Sequence, residues 1–114
     1  QVSRTRYSIV INVSYRETPA EMRVICKVVP NVHAETITHL SNFVEKYRHA
    51  MDIGEITSPI SPRNTITIAQ YTTDFEKRIG VDSAFKRALE RNLFNSMDEG
   101  ERAIAVGIAD RVIA

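Results

Sequence analysis

Apolar residues recur at alternating steps of three and four along most of this chain, which is the spacing of an amphipathic α-helix. The pattern is most regular between Ala34 and Asp52, and Gly54 marks the point where it stops. Its predicted buried face consists of Ile37, Leu40, Val44, Tyr47 and Met51. The spacing therefore predicts one long helix over 34–52.

An earlier helix is predicted to begin at Thr18, because Thr suits the N-cap, Pro19 suits the first helical position and Glu21 completes a capping box. Pro30 ends this segment. The residues expected on its apolar face are Met22, Ile25, Cys26 and Val29.

Ser61 and Pro62 mark another helix start, because a serine hydroxyl caps an unpaired backbone N–H and proline at the first helical position loses no hydrogen bond. The segment 65–68 alternates β-branched residues as a strand does. A helix is still favoured, since Gly80 ends a helically spaced series. That series consists of Ile68, Thr72, Phe75 and Ile79.

Two shorter helices are predicted towards the C-terminus. Asp82 or Ser83 can cap the first, and Asp98 can cap the second. The apolar residues of the first are Phe85, Leu89, Leu93 and Met97, and those of the second are Ala105, Ile108, Ala109 and Val112. A buried strand is the alternative for the last segment, because it is apolar almost throughout.

The segment Tyr7–Val13 alternates and is rich in β-branched residues, which predicts a strand. No partner strand is evident, and an unpaired strand exposes backbone N–H and C=O groups. The predicted fold class is mainly α, a small bundle of four to five helices preceded by one β-strand. We expect the strand to belong to a sheet elsewhere in a longer protein, and the start at Gln1 rather than Met agrees with that or with removal of a tag or initiator.

The composition is that of one globular domain, with 114 residues, 43% hydrophobic and 25% charged. A net charge of +1 produces no field that would by itself recruit nucleic acid. No apolar run reaches membrane-spanning length, so no membrane partner is expected. Eleven arginines against four lysines favour contacts with phosphate-bearing or planar groups.

Cys26 is the only cysteine, so no internal disulfide can form and a reducing cytoplasm is the expected location. Its predicted role is to fill the core. His33, His39 and His49 are not one helical turn apart, and Glu45 with His49 is a spacing common in surface hydrogen bonds. No metal site is predicted.

Basic residues cluster locally at Lys77, Arg78, Lys86, Arg87 and Arg91. Acidic residues are interleaved with them, namely Asp74, Glu76, Asp82 and Glu90. The mixture favours a solvated face of both signs, with a subunit contact as the second interpretation and nucleic acid as the third.

Arg63 falls in the first turn of the helix that begins after Ser61. Its guanidinium would add to the backbone donors and the positive end of the helix dipole, a combination suited to phosphate oxygens. A solvated charge is the plainer interpretation of an arginine at this position.

Four short segments together resemble the C-terminal lid of AAA+ ATPases of the MoxR and cobaltochelatase ATPase-subunit type. They are Ser61-Pro62-Arg63-Asn64-Thr65-Ile66, Ala84-Phe85-Lys86-Arg87-Ala88, Asn92-Leu93-Phe94-Asn95 and Asp98-Glu99-Gly100-Glu101-Arg102. The resemblance implies that Arg63 is a sensor arginine that contacts nucleotide phosphate. It also implies ATP and Mg²⁺ in the parent protein, a ring oligomer, and partners that are chelatase subunits or chaperone clients.

The segment Arg6–Val10 is similar to the family's Asp-Arg-aromatic segment before the last strand of the ATPase core. The resemblance implies that Arg6 reaches the nucleotide of the neighbouring subunit, although Thr5 stands where the family has Asp. It also implies that residues 1–16 are the last strand of an ATPase core plus a connection, and that residues 17–114 are the lid.

A phosphate loop of the form GxxxxGK requires Lys directly after Gly, and none of the four glycines has this neighbour. The chain is therefore predicted to be inactive on its own and to depend on an ATPase core. A freestanding helical interaction or DNA-binding module is the alternative function.

Overall fold

The structure is a computed structural model that describes residues 7–114, with side chains from Thr18 onward. It contains five α-helices and a short 3₁₀ turn over Phe94–Ser96. The helices are α1 (Tyr7–Val28), α2 (Ala34–Asp52), α3 (Pro62–Ile79), α4 (Val81–Asn92) and α5 (Glu99–Ile113). The prediction of a mainly α-helical fold is confirmed.

The strand predicted over Tyr7–Val13 is not seen, and residues 7–114 contain no β-strand. Helix α1 begins at Tyr7, so Thr18 is not an N-cap and Pro19 lies inside the helix. A helix pairs backbone N–H and C=O groups within the segment, whereas a lone strand leaves them unpaired. This difference outweighs the weak strand preference of β-branched residues.

Helices α2 and α3 have the predicted bounds, and α3 has Ser61 as its N-cap. Helix α5 follows the predicted N-cap Asp98, so the strand alternative for that segment is wrong. The predicted cap of α4 at Asp82 or Ser83 is also wrong. Gly80, with φ of 88°, both ends α3 and precedes α4, which makes the connection a single residue.

Aromatic rings from α2, α4 and the 3₁₀ turn form the centre of the core. Phe43 has its ring centroid 5.6 Å from that of Tyr47, 6.4 Å from that of Phe85 and 6.2 Å from that of Phe94. Leu93 and Met97 are buried as predicted, although α4 ends before both of them. Leu89, Ala105, Ile108 and Ala109 are buried around these rings.

Helix α1 packs on the bundle through Met22 and Ile25, and Val29 directly after the helix packs beside them; all three are buried. Cys26 is exposed, so its predicted role as core filler is wrong. At 3.6 residues per turn the centre of the apolar stripe falls between Ile25 and Val29, which places Cys26 at the edge of the stripe.

The carboxylate of Glu21 on α1 joins three helices. Arg48 on α2 donates to Glu21 on α1 over 2.9 Å, and Thr65 on α3 donates to the other oxygen of the same carboxylate over 3.0 Å. The two charged side chains are only 14% and 11% exposed. Within residues 7–114 no helix has both the length and the apolar character required to cross a membrane.

Candidate nucleotide-contact site at the start of α3

The start of α3 is built by a reciprocal pair of hydrogen bonds between Ser61 and Asn64. The Ser61 hydroxyl accepts from the Asn64 backbone N–H over 3.3 Å, and the Asn64 side-chain oxygen accepts from the Ser61 backbone N–H over 2.9 Å. This capping box satisfies two donors that a helix N-terminus otherwise leaves unpaired. The predicted cap at Ser61 is confirmed, with Asn64 in the place that Glu or Gln more often takes.

Further hydrogen bonds attach this helix start to its neighbours. The Asn64 side-chain N–H donates to the Asn92 carbonyl at the end of α4 over 3.2 Å. Thr65 is fully buried and donates to Glu21 on α1. Hydrogen bonds therefore join the first turn of α3 to α1 and α4.

Arg63 lies exposed in this first turn, and its side chain makes no hydrogen bond or ion pair with residues 18–114, whose side chains the structure describes. The capping box uses two backbone N–H groups, Pro62 has none, and the N–H of Thr65 donates to the Ser61 carbonyl. The Arg63 backbone N–H is thus the one donor of the first turn without a partner among residues 18–114. The site offers a guanidinium and a single backbone N–H, fewer donors than the sequence led us to expect.

The loop before Ser61 is fixed by the carboxylate of Glu101 on α5. Glu101 accepts from the hydroxyl and backbone N–H of Thr57 over 2.6 and 2.9 Å. It also accepts from the hydroxyl and backbone N–H of Ser58 over 2.9 and 3.2 Å. The hydrogen bonds from Thr57, and then those from Ser58, lower the pKa of Glu101 to about 2.

Tyr47 holds the same loop from the core side. It is fully buried, and its hydroxyl donates to the Ser58 carbonyl over 2.6 Å. Burial, and secondly the negative charge of Glu101, raise the pKa of Tyr47 to about 12. Sequence reasoning placed Tyr47 on the buried face of α2 but missed the role of Glu101, which it named only within a segment that resembles the lid family.

Of the two arginines that the sequence singled out, the structure describes only one. Arg63 is at the start of α3, and Arg6 lies outside the described residues.

The basic residues of α3 and α4 contact aromatic rings more than acids. Arg78 lies 5.7 Å from the ring centroid of Phe75, and Arg91 lies 6.0 Å from that of Tyr71. The two rings stack with centroids 4.5 Å apart. Within the described range none of the interleaved acids forms an ion pair with this basic cluster, and Lys86 pairs with Asp110 on α5.

A second group of polar side chains lies where α2 and α4 begin. The His39 Nε2 atom is 2.9 Å from a carboxylate oxygen of Asp82 and 3.8 Å from one of Glu35. Sequence reasoning missed this group because the only His–carboxylate pair it considered was Glu45 with His49. The four-residue spacing of Glu35 and His39 was the signal in the sequence, and Asp82 is 43 residues from His39.

A groove of about 580 Å³ runs between α2 and α5, away from Arg63. Ala50, Ile104 and Ile108 line it, and its charged residues carry both signs, namely Glu45, Lys46, Glu55 and Arg111. Because the charges are mixed, the groove favours no ligand of either sign.

Comparisons with protein-family models, curated proteins and solved structures found no match to this chain.

Proposed function

We propose that this chain is the C-terminal lid of an AAA+ ATPase of the MoxR or cobaltochelatase ATPase-subunit type. In this proposal Arg63 contacts the phosphates of ATP bound by an ATPase core. The observation that supports it is the exposed, unpaired guanidinium of Arg63 in a helix turn fixed by the capping box. The capping box fixes the backbone of this turn, and the guanidinium can donate paired, charge-assisted hydrogen bonds to phosphate oxygens.

Besides the guanidinium, the start of α3 offers a phosphate only one backbone N–H and the positive end of the helix dipole, so it adds little to phosphate binding. The phosphate loop and the Mg²⁺ ligands would come from the core, and the chain alone would hydrolyse no ATP. Because Asn64 and Thr65 attach the start of α3 to α4 and α1, formation or loss of the phosphate contact would shift the lid as one body.

The remaining parts of the proposal follow the resemblance. The parent protein would be a cytoplasmic ring oligomer that acts on chelatase subunits or chaperone clients, with Arg6 reaching the neighbouring nucleotide. The division of the chain at residues 16 and 17 stays a prediction.

The test is Arg63→Ala in the complete protein, with ATP turnover as the measurement. Loss of a donor to the transferred phosphoryl group should lower kcat roughly 100-fold or more. The unfolding free energy should change by no more than about 0.5 kcal/mol, because the side chain is exposed and unpaired. Arg87→Ala removes another exposed arginine as the matched control, and it should leave turnover unchanged. Normal turnover in Arg63→Ala would contradict the proposal.

A freestanding module that binds DNA is the second candidate, and the exposed arginines Arg78 and Arg91, which lie over the rings of Phe75 and Tyr71, favour it. In this case the chain should bind duplex DNA at low salt, with an affinity that falls steeply as salt is raised. Arg78→Ala with Arg91→Ala should then weaken binding, whereas Arg63→Ala should have a smaller effect. A titration without binding at low salt would exclude this candidate.

A further inference from the structure

The group formed by Glu35, His39 and Asp82, which we call the α2–α4 cluster, combines one imidazole with two carboxylates from two helices. Glu35 lies in the first turn of α2, His39 one turn later, and Asp82 in the first turn of α4. One ligand atom from each residue lies within 4.8 Å of the other two. Packing of α2 against α4 therefore brings three potential metal ligands to one place.

We propose that the α2–α4 cluster binds a divalent transition-metal ion, with Zn²⁺ as the best fit. Imidazole nitrogen and carboxylate oxygen are both common Zn²⁺ ligands, whereas Ca²⁺ and Mg²⁺ prefer oxygen alone. Three protein ligands leave a fourth position for water. The proposal does not depend on the lid function.

The distances suit a small ion. In a tetrahedral site with bonds of 2.0–2.1 Å, neighbouring ligand atoms are roughly 3.3 Å apart. The separations of the His39 Nε2 atom from Asp82 and Glu35, at 2.9 and 3.8 Å, lie on either side of that value. The ion would replace the present hydrogen bond between His39 and Asp82.

The cluster combines one fixed ligand with two adjustable ones. The His39 side chain is 12% exposed and its ring centroid lies 5.5 Å from that of Phe85, so packing holds the imidazole in position. The carboxylate side chains of Glu35 and Asp82 are 55% and 56% exposed. They can rotate to complete the coordination, and solvent gives the ion a route of entry.

The charge balance also favours a cation. No Lys or Arg in the described range forms an ion pair with Glu35 or Asp82. Lys86 lines a shallow pocket together with Asp82, but its ammonium group pairs with Asp110 over 3.0 Å. Each helix N-terminus contributes roughly +0.5 charge. The two helix N-termini together contribute roughly +1, and the two carboxylates contribute −2. With His39 neutral, the cluster therefore carries a net charge of about −1.

The test is isothermal titration of the full chain, without a polyhistidine tag, with Zn²⁺ at neutral pH. One ion should bind per chain. His39→Gln should abolish binding, and Glu35→Gln and Asp82→Asn should each weaken it about tenfold or more. His33→Gln removes an exposed histidine outside the cluster and should leave the affinity unchanged.

Two further measurements distinguish a metal site from a hydrogen-bonded pair. Co²⁺ bound in place of Zn²⁺ should give the visible absorption of a four-coordinate N,O site, lost in His39→Gln. Zn²⁺ should raise the Tm of the wild type and of His33→Gln, but not that of Asp82→Asn. Because Asp82 is exposed, Asp82→Asn should fold as the wild type does. Equal Zn²⁺ affinity in wild type and His39→Gln, or no Zn²⁺-dependent rise in Tm, would overturn the proposal.

Discussion

Three arginines of this chain show how surroundings decide what the same side chain can do. Arg48 is nearly buried and pairs with Glu21, so its charge is used within the fold. Arg102 donates to the Phe94 carbonyl over 2.9 Å and holds α5 to the 3₁₀ turn. The side chain of Arg63 has no partner among residues 18–114, the part of the chain whose side chains are described. A guanidinium binds a ligand from outside only when the fold leaves its donors unused, and Arg63 meets that condition.

Tyr47 is predicted to keep its proton far into the alkaline range. Its pKa is raised from 10.0 to about 12, first by burial and then by the charge of Glu101. The unfolded chain loses this proton near pH 10, whereas the folded chain keeps it. The contribution of Tyr47 to the unfolding free energy is therefore complete below pH 10 and is lost as the pH rises towards 12. The measurement is phenolate absorbance against pH.

Tyr47→Phe is the matched variant, since the difference between its titration and that of the wild type isolates this one phenol. The substitution leaves the Ser58 carbonyl without its donor and should lower the unfolding free energy by about 1 kcal/mol. A difference titration centred near pH 10 would contradict the structure at this residue.

The elements that could be predicted from sequence are those whose signals are local. Helix α3 is an example, because its cap Ser61 and its end at Gly80 are both decided within a few residues. The helical identity of Tyr7–Val13 could not be predicted, because alternation of β-branched residues says nothing about whether a partner strand exists.

The missed parts of the candidate sites have a common cause, which is sequence separation. Glu101 bonds to Thr57, 44 residues away, and His39 bonds to Asp82, 43 residues away. Neither pairing has a local signal, since helix packing alone brings these side chains together.

At the start of α3, Ser61→Ala is expected to lower the unfolding free energy by about 1 kcal/mol, because it removes the acceptor for the Asn64 backbone N–H. Asn64→Ala should cost a similar amount. The double variant should cost less than the sum, since each substitution breaks the same reciprocal pair. Urea unfolding followed by circular dichroism measures all three.

Ser83→Ala provides the control for this helix start, because Ser83 is exposed in the first turn of α4 and caps nothing. We expect it to change the unfolding free energy by less than about 0.5 kcal/mol. Strict additivity of Ser61→Ala and Asn64→Ala would show that the capping box does not act as a unit.

On the scale of the whole molecule, two polar contacts join segments that are distant in the chain. Glu21 on α1 accepts hydrogen bonds from Arg48 on α2 and from Thr65 on α3, which joins the three helices. The Glu101 carboxylate fastens α5 to the loop at Thr57 and Ser58 that leads to α3. Both contacts meet α3 near its start, so the position of Arg63 depends on the whole bundle rather than on its own helix.

The contact of Glu101 predicts how the molecule responds to acid. Hydrogen bonds from Thr57 and then Ser58 lower the pKa of Glu101 from 4.5 to about 2, so its contribution to stability is present above pH 4.5 and is lost as the pH falls towards 2. Wild type should therefore lose stability over this window relative to Glu101→Gln, whose neutral amide has no proton to gain there. Thermal unfolding at a series of pH values measures the difference.

Glu99→Gln is the control, since it removes the charge of an exposed glutamate in the same first turn of α5. Its stability should follow that of the wild type across this pH range. A difference in stability between wild type and Glu101→Gln that stays constant from pH 5 to pH 2 would show that the charged form of this carboxylate does not hold the loop.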